Sequence, residues 1–194
     1  MYRHLNYRLV AVAMCLAVGP ALAQSTLTTD DIVRSLGGLE ANATGVTAIT
    51  LRQAALDNIR KNPGQSATNR PPISEQLIKL PQFNVEIQFN LDSAIIRPQS
   101  YKTIGRIADA LYHPVLLEYK FLVVGHTDST GKRQYNLQLS QKRADAIREA
   151  LVTTFRIRPD RLTAVGLGEE QLQDAVHPTA AVNRRVQLVT LGKQ

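Results

Sequence analysis

The chain has 194 residues, 44% of them hydrophobic, with one cysteine, no tryptophan and a formal charge of +7. This length and apolar content allow one well-packed domain with an appendage, and the single thiol excludes a disulfide framework or a cysteine-rich metal module. The modest basic excess suits an anionic polymer partner and by itself names none.

Residues 1–23 read as a processing signal. Arg3 and Arg8 form a basic start, Leu9 to Val18 an uncharged apolar run, and Ala21-Leu22-Ala23 the small-x-small pattern before a cleavage site. The run is about ten residues long, and a membrane span needs about twenty. Cleavage after Ala23 is expected, with Gln24 as the mature N-terminus. It removes Cys15 and lowers the basic excess by two, through Arg3 and Arg8. Met14 precedes Cys15, where lipid attachment wants a small residue. The expected location is therefore the periplasm, either free or held at the outer membrane. No nucleic-acid partner is expected, and no transmembrane segment in the mature chain.

Residues 24–61 are expected to form a small helical appendage. Thr29 can cap a helix whose first turn carries Asp30 and Asp31, acids that suit the helix dipole. Ile32, Val33 and Leu36 give it one apolar stripe, and Gly37-Gly38 ends it. A second helix is predicted over Thr50 to Lys61, with Leu51, Ala54, Ala55 and Ile59 on one side. Residues 62–72 read Asn-Pro-Gly-Gln-Ser-Ala-Thr-Asn-Arg-Pro-Pro, a linker composition with little to bury. A linker is assigned to 62–82, and a separate domain to 83–194.

In that domain Phe83, Val85, Ile87 and Phe89 alternate with polar residues, the pattern of a half-buried strand. Pro98 sits where a helix can start, and Ile104, Ile107, Ala108 and Leu111 keep helical spacing up to Pro114. Residues 116–124 form an apolar strand ending at Gly125. A long helix follows over Tyr135 to Phe155, then strands over 161–166 and 184–191. The order is β-α-β-α-β-β. The predicted fold is α+β: a two-layer α/β sandwich, with two helices on one face of a small mixed sheet.

The long helix carries an anomaly. At about 100° per residue, Asn136, Ser140 and Arg143 fall on the same arc as Leu137, Leu139, Ala144, Ile147 and Leu151. An inward arginine must find a strong acceptor, because an unpaired buried charge is very costly. Asp128, at the end of the preceding strand, is the nearest candidate. Two arrangements are open: a buried Asp128–Arg143 ion pair, or two side chains a few ångströms apart that grip a zwitterion. In the second, Asp128 accepts from an ammonium and Arg143 takes a carboxylate bidentately.

Gly125-His126-Thr127-Asp128-Ser129-Thr130-Gly131, followed by Tyr135-Asn136-Leu137-Gln138-Leu139-Ser140-Gln141-Lys142-Arg143-Ala144, resembles the signature of OmpA-like C-terminal domains. Phe89-Asn90-Leu91-Asp92-Ser93-Ala94, Val165-Gly166-Leu167-Gly168-Glu169 and Asn183-Arg184-Arg185-Val186 extend the resemblance over about residues 83–191. The resemblance implies non-covalent peptidoglycan binding through the diaminopimelate of the stem peptide, with Asp128 on the ammonium and Arg143 on the carboxylate. It also implies that Asp92 frames the pocket, unless it only caps the next helix. Thr130 and the loop amides would donate to a carboxylate, or else only shape the turn. Asn136 would be a pocket residue and Leu139 a pocket wall. Arg184 would reach a second carboxylate, unless it and Asn183 merely close a turn. Asn90 stands where the family often has Asp, so one less negative charge faces the site. Family members that carry a barrel, a lipid anchor or a membrane helix differ from this chain, so a protein partner at the outer membrane or in the periplasm is expected to engage the appendage.

Two other classes can be weighed. His126-x-Asp128 offers two metal ligands, but His113 and His177 share no motif with it. No Gly-x-Ser-x-Gly, P-loop or dinucleotide fingerprint occurs. The chain is therefore not expected to be an enzyme, nor to hold a metal or cofactor. An assembly protein, whose domain docks a protein partner and not the cell wall, is the alternative reading.

Overall fold

The computed structural model describes residues 27–37, 43 and 45–193; the expected leader lies outside them. The elements are α1 (Thr29–Leu36), α2 (Ala48–Lys61), α3 (Glu75–Lys79), β1 (Gln82–Val85), α4 (Tyr101–Leu111), β2 (Tyr119–His126), α5 (Arg133–Thr153), β3 (Leu162–Gly168) and β4 (Val186–Lys193). From β1 onward the predicted order β-α-β-α-β-β is found. The sheet runs β1-β4-β2-β3, with β2 and β3 parallel across α5 and the other neighbours antiparallel.

The central strand explains the layering. Phe121 and Val123 of β2 pack toward Ile104, Ile107, Leu111, Ile147 and Leu151 of α4 and α5, and Ile32 and Leu36 of α1 join that side. Leu122 and Val124 point the other way, into a cluster with Leu51 and Ala55 of α2, Leu77 of α3, Leu80, Val165 and Val189. A strand covered on both faces reads as a continuous apolar run, which is how residues 121–124 read. The α4–α5 layer is the expected one. α2 and α3 add a third layer on the far face of the sheet, while α1 packs on the α4–α5 side, so the apolar stripes of the appendage serve this domain's own core.

Some boundaries differ from expectation. Thr28, not Thr29, caps α1, in a reciprocal box with Asp31. Pro114–Leu116 forms a 3-10 turn before β2 begins at Tyr119, since a proline's fixed φ suits the first position of such a turn. β1 stops at Val85 because its partner β4 begins opposite it, at Val186. Beyond that point Phe89 and Ile96 form an isolated bridge that closes the loop between them. Residues 62–82, expected as a linker, are docked: Leu77 and Leu80 are buried, and Arg70 is held between Glu169 and Glu170. Composition hid this, because the contacts depend on one arginine and two leucines among prolines and polar residues.

The glycines of the two strand-end motifs set how closely α5 lies on the sheet. A Cβ at Gly166 would come within 2.0 Å of the Gln141 backbone nitrogen, and one at Gly125 within 2.3 Å of the Ser140 carbonyl oxygen. Ser140 Oγ accepts from the Gly168 amide at 2.8 Å and donates to the Leu137 carbonyl at 3.0 Å. The start of α5 is thereby pinned against the C-terminal ends of β2 and β3.

Candidate functional site

β2 delivers Asp128 into the loop before α5. Its Oδ2 accepts from Arg184 Nη1 at 2.6 Å, and its Oδ1 accepts from the Thr130 amide at 2.9 Å, a turn in which an Asp side chain bonds backbone two residues on. Burial by itself would raise the carboxyl pKa. The hydrogen bonds from Arg184 and from Thr130, together with the Arg184 charge, outweigh burial and hold it below the ordinary value.

Arg143 projects from the inner arc of α5, as its spacing predicts. Its Nε donates to the Ser93 carbonyl at 3.0 Å, and its guanidinium lies 4.9 Å over the Phe89 ring, within cation–π range. Burial pulls its pKa down and neighbouring Arg184 acts in the same sense, against Tyr135, Asp92 and Asp128. An arginine nonetheless stays charged. The direct Asp128–Arg143 ion pair is not formed, because the Asp128 carboxylate is taken by Arg184.

Arg143, Arg184, Arg97, Phe89, Asn90 and Asp92 line an open groove of about 440 Å³. Behind it lies a cavity of about 20 Å³ between Gly125, His126, Arg143, Arg184 and Arg185, large enough for one water. Asp128 meets the groove through Arg184. Asp92 sits in the left-handed region at φ 52°, and the Tyr135 hydroxyl donates to its Oδ1. Its expected capping role is not found, since a 3-10 turn from Pro98 leads into α4. Asp92 instead separates the main groove from a second one of about 260 Å³, lined with Tyr135, Leu139 and Lys142. Leu139 belongs to that second groove and not to the wall beside Arg143.

Three further residues take supporting places. Asn136 is buried, and its Nδ2 donates to Glu169 Oε2 at 2.7 Å, to the Thr130 carbonyl at 3.1 Å and to the Asp128 carbonyl at 3.3 Å. It supports the loop from beneath. The Thr130 amide is engaged by Asp128, so Thr130 shapes the turn. Asn183 closes the turn before β4, accepting from the Gln173 and Asp174 amides at 2.9 Å each.

His126 is buried, with Nε2 2.9 Å from Gln187 Oε1. Burial, then the charge of Arg185, push its pKa well below the ordinary value, against bonds to Gln187 and the Gln171 backbone. Burial pushes the Arg185 guanidinium down to about 10. Sequence reasoning missed Arg97, whose only neighbour of note is Pro98, and Tyr135, whose partner lies 43 residues away. It also missed the ion cluster at Arg70, for which no spacing gives a signal.

A family model described as the OmpA family matches residues 88–185. Outer membrane porin F of Pseudomonas fluorescens is 38% identical over 110 residues, which cover 55% of this chain and 32% of that protein. A peptidoglycan-associated lipoprotein of Brucella melitensis is 35% identical over 86 residues, covering 44% of this chain and 49% of the relative. The solved cell wall anchor of the T6SS from Pseudomonas aeruginosa is 25% identical, covers 74% of this chain and 97% of that one, and gives a TM-score of 0.48. The chain thus spans 32% and 49% of the length of these two curated relatives. Among the described residues no helix is long and apolar enough to cross a membrane.

Proposed function

The chain belongs to the OmpA family, and from that premise we propose that it binds peptidoglycan non-covalently, through the diaminopimelate of the stem peptide, and ties an envelope component to the cell wall. The observation that carries this reading is the groove lined by Arg143 and Arg184, with the Asp128 carboxylate joined to it through its bond to Arg184. A free amino-acid centre offers an ammonium and a carboxylate one carbon apart, and this groove offers the complementary charges.

Arg143 is suited to the carboxylate. Its plane is fixed by the Phe89 ring and by the Ser93 carbonyl at Nε, so little side-chain freedom remains to be lost when it binds bidentately. Asp128 stays ionised at neutral pH and accepts from the ammonium. Arg184, half exposed and already bonded to Asp128 through one nitrogen, has further donors for a second carboxylate. Asp92, braced by Tyr135, frames the far side of the groove.

The reading is one of binding without catalysis, in the periplasm. A protein partner at the appendage would meet its outer face, because the apolar stripes of α1 and α2 lie against the domain. The test is sedimentation of the purified protein with intact peptidoglycan sacculi. The wild type should pellet with sacculi and folded Arg143→Ala should stay in solution. Equal pelleting of the two proteins would refute the proposed contact.

A further inference from the structure

A buried polar path runs from the N-terminal arm, that is α2 and the 62–82 stretch after it, to the Asp128 loop. Arg70 Nη2 donates to Glu169 Oε1 at 2.7 Å and Nη1 to Glu170 Oε1 at 3.0 Å, and all three side chains are at most 4% exposed. Glu170 also accepts from Asn58 of α2 at 2.7 Å and from Arg133 at 2.9 and 2.6 Å. The other oxygen of Glu169 accepts from Asn136, whose amide nitrogen also serves the carbonyls of Thr130 and Asp128. The chain of contacts is Arg70, Glu169, Asn136, then the backbone on which the Asp128 carboxylate is mounted.

We infer that the arm is part of the binding device, with Arg70 as a positioning residue that fixes Asp128 through Glu169 and Asn136. The inference rests on the reading that Asp128 takes the ammonium. Its logic is one of charge and donor number. Two arginines and two glutamates cancel in the buried cluster, so deleting Arg70 leaves one carboxylate without its counter-charge. The Asn136 amide has two hydrogens and three acceptors. The charged one, Glu169, fixes its direction, since bonds to ions are the stronger ones. A Glu169 that loses Arg70 is a buried carboxylate without its counter-charge, and it turns toward water. Asn136 then turns with it, and the two loop carbonyls lose their donor. A binding constellation tolerates only about 0.5 Å of such drift.

A purely structural staple makes a different prediction: it would lower thermal stability and leave the affinity of the folded protein unchanged. The experiment uses the full chain as Arg70→Met, with Glu169→Gln as a second variant that keeps side-chain shape. Ile147→Val, in the core beside α4, serves as a destabilised control. Meso-diaminopimelate is titrated calorimetrically, and amide hydrogen exchange is followed at Thr130. At a temperature where every protein is folded, Arg70→Met and Glu169→Gln should each lose at least fivefold in affinity and exchange Thr130 at least tenfold faster. Ile147→Val should match the wild type in both. Exchange that accelerates in a protein whose wild type takes no diaminopimelate supports the coupling and defeats only the ligand reading. Wild-type affinity, or wild-type exchange at Thr130, in folded Arg70→Met overturns the inference.

Discussion

Arg184, and not Arg143, holds Asp128: its Nη1 donates to Oδ2 at 2.6 Å. The inward arginine of α5 is thereby left over Phe89, with the Ser93 carbonyl at its Nε. A carboxylate and a guanidinium therefore stand near each other without neutralising each other.

Arg184→Gln should raise the pKa of Asp128, because burial then meets less opposition. The folded-state value is depressed, so the pair stabilises the fold above the ordinary carboxylate pKa of about 3.9, and that contribution is lost as pH falls through the lower folded value. Arg184 is half exposed, which limits the stability change to about 1 kcal/mol or less. A carboxyl NMR titration of both proteins checks the shift.

His126 should give the fold a pH dependence at higher pH. Its folded pKa lies well below the ordinary value. The unfolded chain therefore binds the extra proton first, and stability present above about pH 6.5 falls as pH drops below it, by up to about 1.4 kcal/mol per pH unit. Denaturant melts at pH 7.5 and 5.5 should show this loss, and His126→Gln should flatten it.

Gly166→Ala should destabilise strongly. The added carbon meets the backbone of Gln141, which cannot yield without moving α5. Overpacking of this kind costs about 1–3 kcal/mol or more, and about 2–4 °C of melting temperature follows each kcal/mol in a chain of this size. A thermal melt reads the change directly.

The domain's strand and helix order was legible because periods of two and 3.6 alternate plainly from Phe83 onward. Arg143 was legible too, as a charge on an apolar arc. Its relation to Asp128 was not, since Arg184 sits 56 residues beyond Asp128 and nothing local says which arginine will pair. The docking of residues 62–82 was hidden for a similar reason. Arg70 finds its carboxylates 99 and 100 residues away, and a stretch of Pro, Gly, Asn and Gln around it reads as solvated chain.

A fragment beginning at Ile73 should be less stable than a free-standing domain would be. It lacks Leu51 and Ala55 over Leu122, Val124 and Val165, and it lacks Arg70 against the two glutamates. Loss of one buried leucine alone removes about 1.5–3 kcal/mol of burial. The fragment should melt lower than the full chain and bind a hydrophobic dye, both readable in one thermal scan.

The affinity of meso-diaminopimelate for the wild type, Arg143→Lys and Arg143→Ala, measured by calorimetry on proteins shown to be folded, tests the central claim most directly. Truncating one partner of a buried hydrogen-bonded charge pair costs about 2–5 kcal/mol, and each 1.4 kcal/mol is about tenfold in affinity. The account predicts at least a tenfold loss for Arg143→Ala and no full recovery with lysine, whose point charge cannot reproduce the planar fork. An unchanged affinity in folded Arg143→Ala would contradict it.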